Sequence, residues 1–275
     1  MSRWACLPLL ILAFAPQTHA QGTHAPALSI ASVQLPAEPG EWQRRRDEIL
    51  AMMQTLQPDV IAVQQVMQAP DELNPACWMA KRLRYSCDFV TADPPSQPQR
   101  RGNAMLTRRA VIEDGVTLLH PPGQFSAAGM LRLQLDEGPV NVYVVRLRPE
   151  ENSVIARRHQ THDLLAWIAA TADGLPCLIV GDFAAPTDEL VRQLPGFQPA
   201  RRNPSARHAE PAAAPSATGH GMDVLYQVRQ FADIARQPLH LQATDPKSPP
   251  LRLGMMATLQ LSAAAITAPP ESPPP

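Results

Sequence analysis

The sequence predicts an α/β protein in which two packed β-sheets are flanked by helices, a four-layer α/β sandwich. Short apolar runs with the composition of buried strands occur at residues 60–63 and 175–180. Two segments alternate apolar and polar residues around a Gly-Pro turn, and amphipathic helices fall between some of the strands. Because strands outnumber helices and helices separate only some of them, we expect two sheets with the helices outside.

The first predicted helix covers residues 41–56, where apolar side chains recur at intervals of three and four and residues 44–48 are charged. Pro58 follows it, and proline cannot continue a helix. Two further helices are predicted over residues 74–83 and 153–170.

The strands are predicted from their apolar runs and from alternation of apolar and polar residues. Residues 136–139 (DEGP) form the turn of a predicted hairpin. The predicted strands are residues 28–33, 60–63, 85–91, 131–135, 140–147, 175–180, 222–228 and 255–261.

The N-terminal sequence predicts export from the cytoplasm. Arg3, an apolar run and the sequence Thr-His-Ala before Gln21 are typical of a signal peptide over residues 1–20, cleaved after Ala20. The mature domain is then residues 21–262, with a flexible loop at 199–221 and a disordered proline-rich tail at 263–275. We therefore expect a periplasmic or secreted protein.

Net charge and cysteine content limit the kinds of partner and ligand that the sequence predicts. The formal net charge is −1, which gives no strong signal for nucleic acid or an anionic membrane. Cys77 and Cys87 could form a disulfide in an oxidising compartment, and the sequence leaves this open. Cys177 falls in a buried strand, where a thiol behaves as a small hydrophobe. The sequence contains no Cys-x-x-Cys pattern, so its cysteines do not suggest a metal site.

Asp182 is the first candidate site residue, because it directly follows the buried strand at 175–180. Functional side chains are often placed at the ends of strands, on the loops that a rigid sheet positions. The alternative is an ordinary turn or cap, a common role of aspartate.

Four motifs, in order, resemble the endonuclease/exonuclease/phosphatase superfamily of metal-dependent phosphodiesterases, which includes pancreatic deoxyribonuclease. Residues 58–66 (PDVIAVQQV) resemble the family's PDVIALQEV, and residues 102–108 (GNAMLTR) resemble GNAILSR. Residues 181–185 (GDFAA) resemble GDFNA, and residues 222–225 (MDVL) resemble the strand RIDYI. The resemblance implies the family's α/β sandwich and its metal-dependent hydrolysis.

The resemblance also shows that most catalytic positions differ. Only Asp182 and Asp223 match the family's catalytic letters. The family's first-strand asparagine is Gln34 here, its metal-binding glutamate is Gln65, and its first histidine is Arg146. The asparagine of GDFN is Ala184, and the closing aspartate and histidine are Leu251 and Arg252.

These changes predict a site that binds anions more readily than metal. Mg²⁺ is usually held by carboxylates and water, whereas Gln65 offers only an amide oxygen and Leu251 offers no ligand. Arg146 and Arg252 could hold a phosphate by paired hydrogen bonds but cannot exchange protons near neutral pH. Asp223 could pair with Arg252.

Asn103 has two interpretations. It could help to bind a ligand, as its counterpart in the family does, or it could be a turn residue.

Three hypotheses follow. The first is a secreted pseudoenzyme that needs no cofactor and binds a phosphate-bearing ligand or a protein partner. The second is an active phosphodiesterase or phosphatase that uses Mg²⁺ or Mn²⁺, with Glu38, Asp59 or Asp88 completing a rearranged site. The third is a binding module that uses the loop at residues 199–221.

Overall fold

The computed structural model describes residues 27–36, 38–70, 72–123, 125–147, 154–185, 187–200, 221–242 and 250–262. Within them lie four helices: α1 (Pro39–Leu56), α2 (Pro75–Leu83), α3 (Val154–Thr171) and α4 (Thr187–Gln193). The twelve strands of the described part are β1 (Ala27–Gln34), β2 (Val60–Gln68), β3 (Ser86–Thr91), β4 (Arg100–Thr107), β5 (Ala110–Leu118), β6 (Ala127–Leu135), β7 (Gly138–Arg146), β8 (Cys177–Asp182), β9 (Phe197–Pro199), β10 (Met222–Gln227), β11 (Phe231–Leu241) and β12 (Leu251–Leu261).

The strands form two six-stranded sheets. Sheet A has the order β11-β12-β1-β2-β4-β3, and sheet B has the order β5-β6-β7-β8-β10-β9. Each sheet contains one parallel pair, β1–β2 in sheet A and β7–β8 in sheet B. A parallel pair needs a crossover connection, and α1 and α3 lie in these two connections.

Three apolar clusters separate the layers. The cluster between the sheets includes Ile30 and Val60 of sheet A and Val144 and Val180 of sheet B. A second cluster packs α1 and α2 on the outer face of sheet A, and a third packs α3 and α4 on the outer face of sheet B. The predicted four-layer α/β sandwich is therefore confirmed.

The three predicted helices are confirmed, with ends that differ by one or two residues. Asn74 is the N-cap of α2 rather than its first residue, because its side chain accepts hydrogen bonds from the backbone N–H groups of Ala76 and Cys77. The sequence prediction missed β4, β5, β9 and β11, and β12 begins earlier than predicted, at Leu251. The predicted loop begins within β9, and its residues 201–220 lie outside the described residues, as do residues 1–20 and 263–275.

The structure shows which of the three described cysteines are bonded to each other. Cys77 on α2 and Cys87 on β3 form a disulfide with a Cα–Cα distance of 5.3 Å, a usual separation for such a bridge. Cys177 is free and buried, and burial raises the pKa of its thiol to about 11. Among the described helices, none has the length and apolar composition required to cross a membrane.

Candidate functional site

The candidate site is a layer of polar side chains above the apolar core between the sheets, at the carboxyl ends of the two parallel strand pairs. We call it the polar layer. It comprises Ser32, Gln64, Asn103, Arg146, Asp182, Asp223 and Arg236. Ser32 joins the two sheets within this layer, because its hydroxyl donates a hydrogen bond to the Gly181 carbonyl oxygen at 3.5 Å.

Asp182 lies beside Arg146. The two residues are partners in the parallel register of β7 and β8, and Arg146 Nε is 3.6 Å from Asp182 Oδ2. Their side chains are only 10% and 8% exposed, so the pair is shielded from water. Asp182 Oδ1 also accepts a hydrogen bond from the Ala184 backbone N–H at 3.1 Å. The predicted anion-binding arginine and the retained aspartate are therefore in direct contact.

Gly181 makes room for this arrangement. Its φ is +155°, and a Cβ at this position would clash with the Val145 carbonyl oxygen on the neighbouring strand. Only glycine allows β8 to approach β7 this closely while Asp182 faces Arg146.

Asp223 pairs with Arg236, so the predicted pairing with Arg252 is wrong. Arg236 Nη2 is 3.6 Å from Asp223 Oδ2, and Asp223 Oδ1 accepts a hydrogen bond from the Val224 N–H. The reason is β11, which the sequence prediction missed and which supplies Arg236. Arg252 pairs in register with His240 at the start of β12, and its side chain is exposed.

Gln64 and Asn103 are completely buried amides. Both are 0% exposed, and the nitrogen and oxygen of each side chain have no hydrogen-bond partner in the described structure. Each unsatisfied buried polar group costs about 1–3 kcal/mol, so stability alone does not favour these side chains here. Asn103 lies inside β4, so the alternative that it is a turn residue is wrong.

The remaining positions that depart from the family pattern sit at the rim. Gln34 pairs in register with Gln64 at the end of β1, and Gln65 lies in a bulge of β2. Leu251, at the start of β12, is 43% exposed. These residues therefore frame the polar layer on the side of sheet A without adding a charge.

Three of the six described non-glycine residues with positive φ lie at this end of the molecule. Gln65, Phe125 and Ala184 have φ values of 58°, 63° and 49°, in the left-handed region that non-glycine residues rarely adopt. Phe125 was missed by the sequence prediction; its ring centre is 4.7 Å from Arg146 Cζ. No sequence motif indicated either Phe125 or Arg236, because both lie in segments without a recognised family pattern.

The residues present do not fit a Mg²⁺-type ion. The described residues hold no group of three or more histidine, cysteine or acidic side chains suited to a metal. Both retained aspartates lie beside a guanidinium group, and the positions of the family's other acidic ligands are Gln65 and Leu251. A divalent cation would therefore have to displace an arginine and bind with fewer carboxylates than it prefers.

Asp59 is not part of the site. It lies next to the first residue of β2, five residues before Gln64, and pairs with Arg108 and Arg109. Burial by itself would raise the pKa of Asp59, but hydrogen bonds from Ser29 and the two guanidinium groups outweigh it and lower the pKa.

Asp88 and Glu38 lie on other elements than the described carboxylates of the site. Asp88 is on β3, where burial raises its pKa and the negative charge of Asp114 adds to the effect. Glu38 is the exposed N-cap residue of α1 and makes no side-chain capping bond.

The two packed sheets with helices on their outer faces and polar residues at the strand ends agree with a phosphodiesterase- or phosphatase-like fold. The sequence model of the endonuclease/exonuclease/phosphatase family matches residues 21–221, and this chain belongs to that family. No curated protein matches the sequence.

Solved structures agree with the fold. A humanized zebrafish (D. rerio) TDP2 matches with a TM-score of 0.67 at 13% identity, covering 85% of this chain and 99% of that one. The human nocturnin catalytic domain, with bound sulfate, has a TM-score of 0.65 at 19% identity and covers 86% and 94%. A family protein from Beutenbergia cavernae has a TM-score of 0.62 at 16% identity and covers 86% and 72%. At these identities the likeness establishes the fold alone.

Proposed function

We propose that this protein is a catalytically impaired family member that binds a phosphate-bearing anion at the polar layer and does not perform metal-dependent hydrolysis. One observation carries the proposal: each retained aspartate faces an arginine, at 3.6 Å in both pairs. A guanidinium neutralises the carboxylate that a metal or a general base would need, and it does not exchange its own proton near neutral pH.

The anion would be held by arginine and amide groups. Arg146 brings a positive charge into the polar layer, and Arg252 stands exposed at the start of β12, which lies beside the end of β1. Asn103 offers a side-chain N–H without a protein partner. Arginine suits phosphate because its N–H groups can form two parallel hydrogen bonds with the oxygens. The sulfate of the nocturnin domain gives separate support for anion binding on this fold.

Export to an oxidising compartment is part of the proposal. The predicted signal peptide and cleavage after Ala20 come from the sequence, and the Cys77–Cys87 disulfide supports them. Disulfides persist in the periplasm and outside cells and are rare in the cytosol.

The alternative is an active hydrolase with a rearranged site. It needs a further carboxylate beside Asp182, and the candidates from the sequence do not supply one. Asp59 is bound to two arginines near the opposite end of β2, and Asp88 lies on the edge strand β3. No described contact supports the third hypothesis, a binding module built on the loop at residues 199–221.

The first test is hydrolysis of a generic chromogenic phosphodiester by the purified mature chain, with Mg²⁺ and with Mn²⁺. Asp182→Ala serves as the control for contaminating enzymes. We expect wild type and Asp182→Ala to give the same rate. A metal-dependent rate that disappears in Asp182→Ala would overturn the proposal and favour the rearranged enzyme.

The second test is calorimetric binding of inorganic phosphate without metal. Replacing Arg146 by glutamine removes a charged donor and should weaken phosphate binding by about tenfold or more. Arg158→Gln is the matched control, because Arg158 is exposed on α3. Equal affinity in wild type and Arg146→Gln would contradict binding at the polar layer.

A further inference from the structure

The loop between β5 and β6 carries an aromatic residue in a strained conformation. Phe125 has a φ of 63°, which is unfavourable for a bulky side chain and which glycine would adopt at no steric cost. Such strain persists only where the surrounding structure enforces it, and it is frequent near functional sites. The loop around Phe125 therefore needs a physical explanation.

The loop is closed by its own hydrogen bonds. The Leu119 N–H donates to the Ser126 carbonyl oxygen at 3.0 Å. The Gly123 N–H donates to the Ser126 hydroxyl oxygen at 3.0 Å, and this hydroxyl donates to the Gly123 carbonyl oxygen at 2.8 Å. These bonds hold the backbone on both sides of Phe125.

The loop is also tied to α3. The His120 N–H donates to Asp163 Oδ2 at 2.7 Å, and the Gln160 side-chain amide donates to the Pro121 carbonyl oxygen at 3.3 Å. The strained backbone at Phe125 is therefore enforced from within the loop and from the helix beside it.

The ring of Phe125 is directed at the polar layer. Its centre is 4.7 Å from the guanidinium carbon of Arg146, within the range of a cation–π contact. Arg146 Nε lies 3.6 Å from Asp182 Oδ2. The guanidinium is thus in contact with an aromatic ring and with a carboxylate.

We propose that Phe125 is a positioning residue that holds the Arg146 guanidinium in place against Asp182. A ring and a carboxylate together restrict the rotamers of a long side chain that is otherwise costly to order. A second consequence rests on the proposed function. Phe125 also raises the affinity for the anion, because an Arg146 side chain that is already held in place loses less conformational freedom on binding. The bland alternative is that the ring only fills space on the surface of sheet B.

The test uses three variants of the mature chain. Phe125→Leu removes the ring but keeps an apolar side chain and the strained backbone. Phe125→Gly removes both the ring and the strain, so it remains informative if Phe125→Leu folds poorly. Phe125→Tyr keeps the ring. Val116→Ala, at an exposed apolar position on β5, is the control.

The deciding readout needs no ligand. It is the hydrogen-exchange rate of the Arg146 Nε proton, measured by NMR and assigned with Arg146→Lys. We expect the rate to rise about fivefold in Phe125→Leu and Phe125→Gly and to stay unchanged in Phe125→Tyr and Val116→Ala. Phe125→Gly should show the same faster exchange, and the exchange rate decides between the two interpretations, because glycine relieves the backbone strain in either case.

Unchanged exchange in Phe125→Leu and Phe125→Gly would overturn the positioning role. Faster exchange in Phe125→Tyr as well would also overturn it, because the ring would then not be the cause. Phosphate affinity separates this inference from the proposed function. If wild type does not bind phosphate but the exchange pattern holds, the proposed function fails and the positioning role of Phe125 stands.

Discussion

The two parallel strand pairs have the same backbone arrangement and opposite chemistry at their ends. In sheet A, α1 connects β1 to β2, and the last residues in register are Gln34 and Gln64. In sheet B, α3 connects β7 to β8, and the last residues in register are Arg146 and Asp182. The first pair ends in uncharged amides, whereas the second ends in a buried ion pair.

This difference shows how the site departs from the metal-dependent hydrolysis that the family resemblance implies. In sheet A, the last residues in register of the parallel pair carry no charge, and the side chains of Gln64 and Asn103 lack partners among the described residues. On the side of sheet B, Asp182 remains but is neutralised by the neighbouring arginine. The parallel pair of sheet A therefore ends in neutral amides, of which Gln64 is costly, whereas the parallel pair of sheet B ends in a self-compensated ion pair.

The largest effect is expected from breaking the ion pair of sheet B. Arg146→Met would leave Asp182 buried without this partner, and we expect a loss of about 3 kcal/mol in the free energy of unfolding. Urea denaturation of the two proteins measures the difference. The double variant Arg146→Met with Asp182→Asn should recover most of the loss.

An exposed arginine gives the control for this experiment. Arg252→Met should change the free energy of unfolding by no more than about 0.5 kcal/mol, because Arg252 is exposed at the start of β12. If Arg146→Met is as mild as Arg252→Met, the ion pair does not form in solution.

The same comparison explains what could be predicted from the sequence. The β-α-β units were predictable because Trp42, Ile49 and Met53 recur with helical spacing and because the strands beside them are apolar runs. Arg236 was not, because β11 is an edge strand with mixed polar residues and Pro238, and an edge strand needs no alternating pattern. The pairing of Asp223 depends on that strand, so it could not be found from motifs.

Phe125 was unpredictable for a different reason. Its contact with Arg146 depends on a backbone conformation that phenylalanine disfavours, which local propensity argues against. By contrast, the proximity of Arg146 to Asp182 follows from the register of the neighbouring parallel strands β7 and β8.

The neutral side of the comparison is tested by filling it with an apolar group. Asn103→Leu removes two unsatisfied polar atoms in a fully buried position, and we expect the free energy of unfolding to rise by about 1 kcal/mol or more. Asn141→Leu is the matched control. Asn141 is equally buried, but its amide bonds to the Ala172 carbonyl oxygen and to Arg132, so this variant should be destabilised. A destabilised Asn103→Leu would show that the amide is satisfied in solution.

A smaller effect is expected at Ala184, beside the ion pair. Its φ of 49° is unfavourable for alanine and accessible to glycine, so Ala184→Gly should raise the free energy of unfolding by about 1 kcal/mol. Ala51→Gly, at an exposed position inside α1, should lower it by about 0.5–1 kcal/mol. If both variants are destabilised alike, the backbone at Ala184 is not strained.

The smallest effect concerns the carboxylates of sheet A that lie outside the polar layer. The lowered pKa of Asp59 stabilises the fold above its unfolded pKa, and this contribution is lost as the pH falls through the folded value. The raised pKa of Asp88 acts in the opposite direction, because its contribution is lost as the pH rises from the unfolded value through the folded one. Melting temperatures measured between pH 3 and pH 7, a range of about four units around the ordinary pKa of aspartate, should therefore fall less on acidification in Asp59→Asn than in wild type.

In Asp88→Asn the melting temperature at neutral pH should rise, because burial and Asp114 disfavour the charge there. A neutral-pH loss in Asp88→Asn would mean that this carboxylate has a partner in solution.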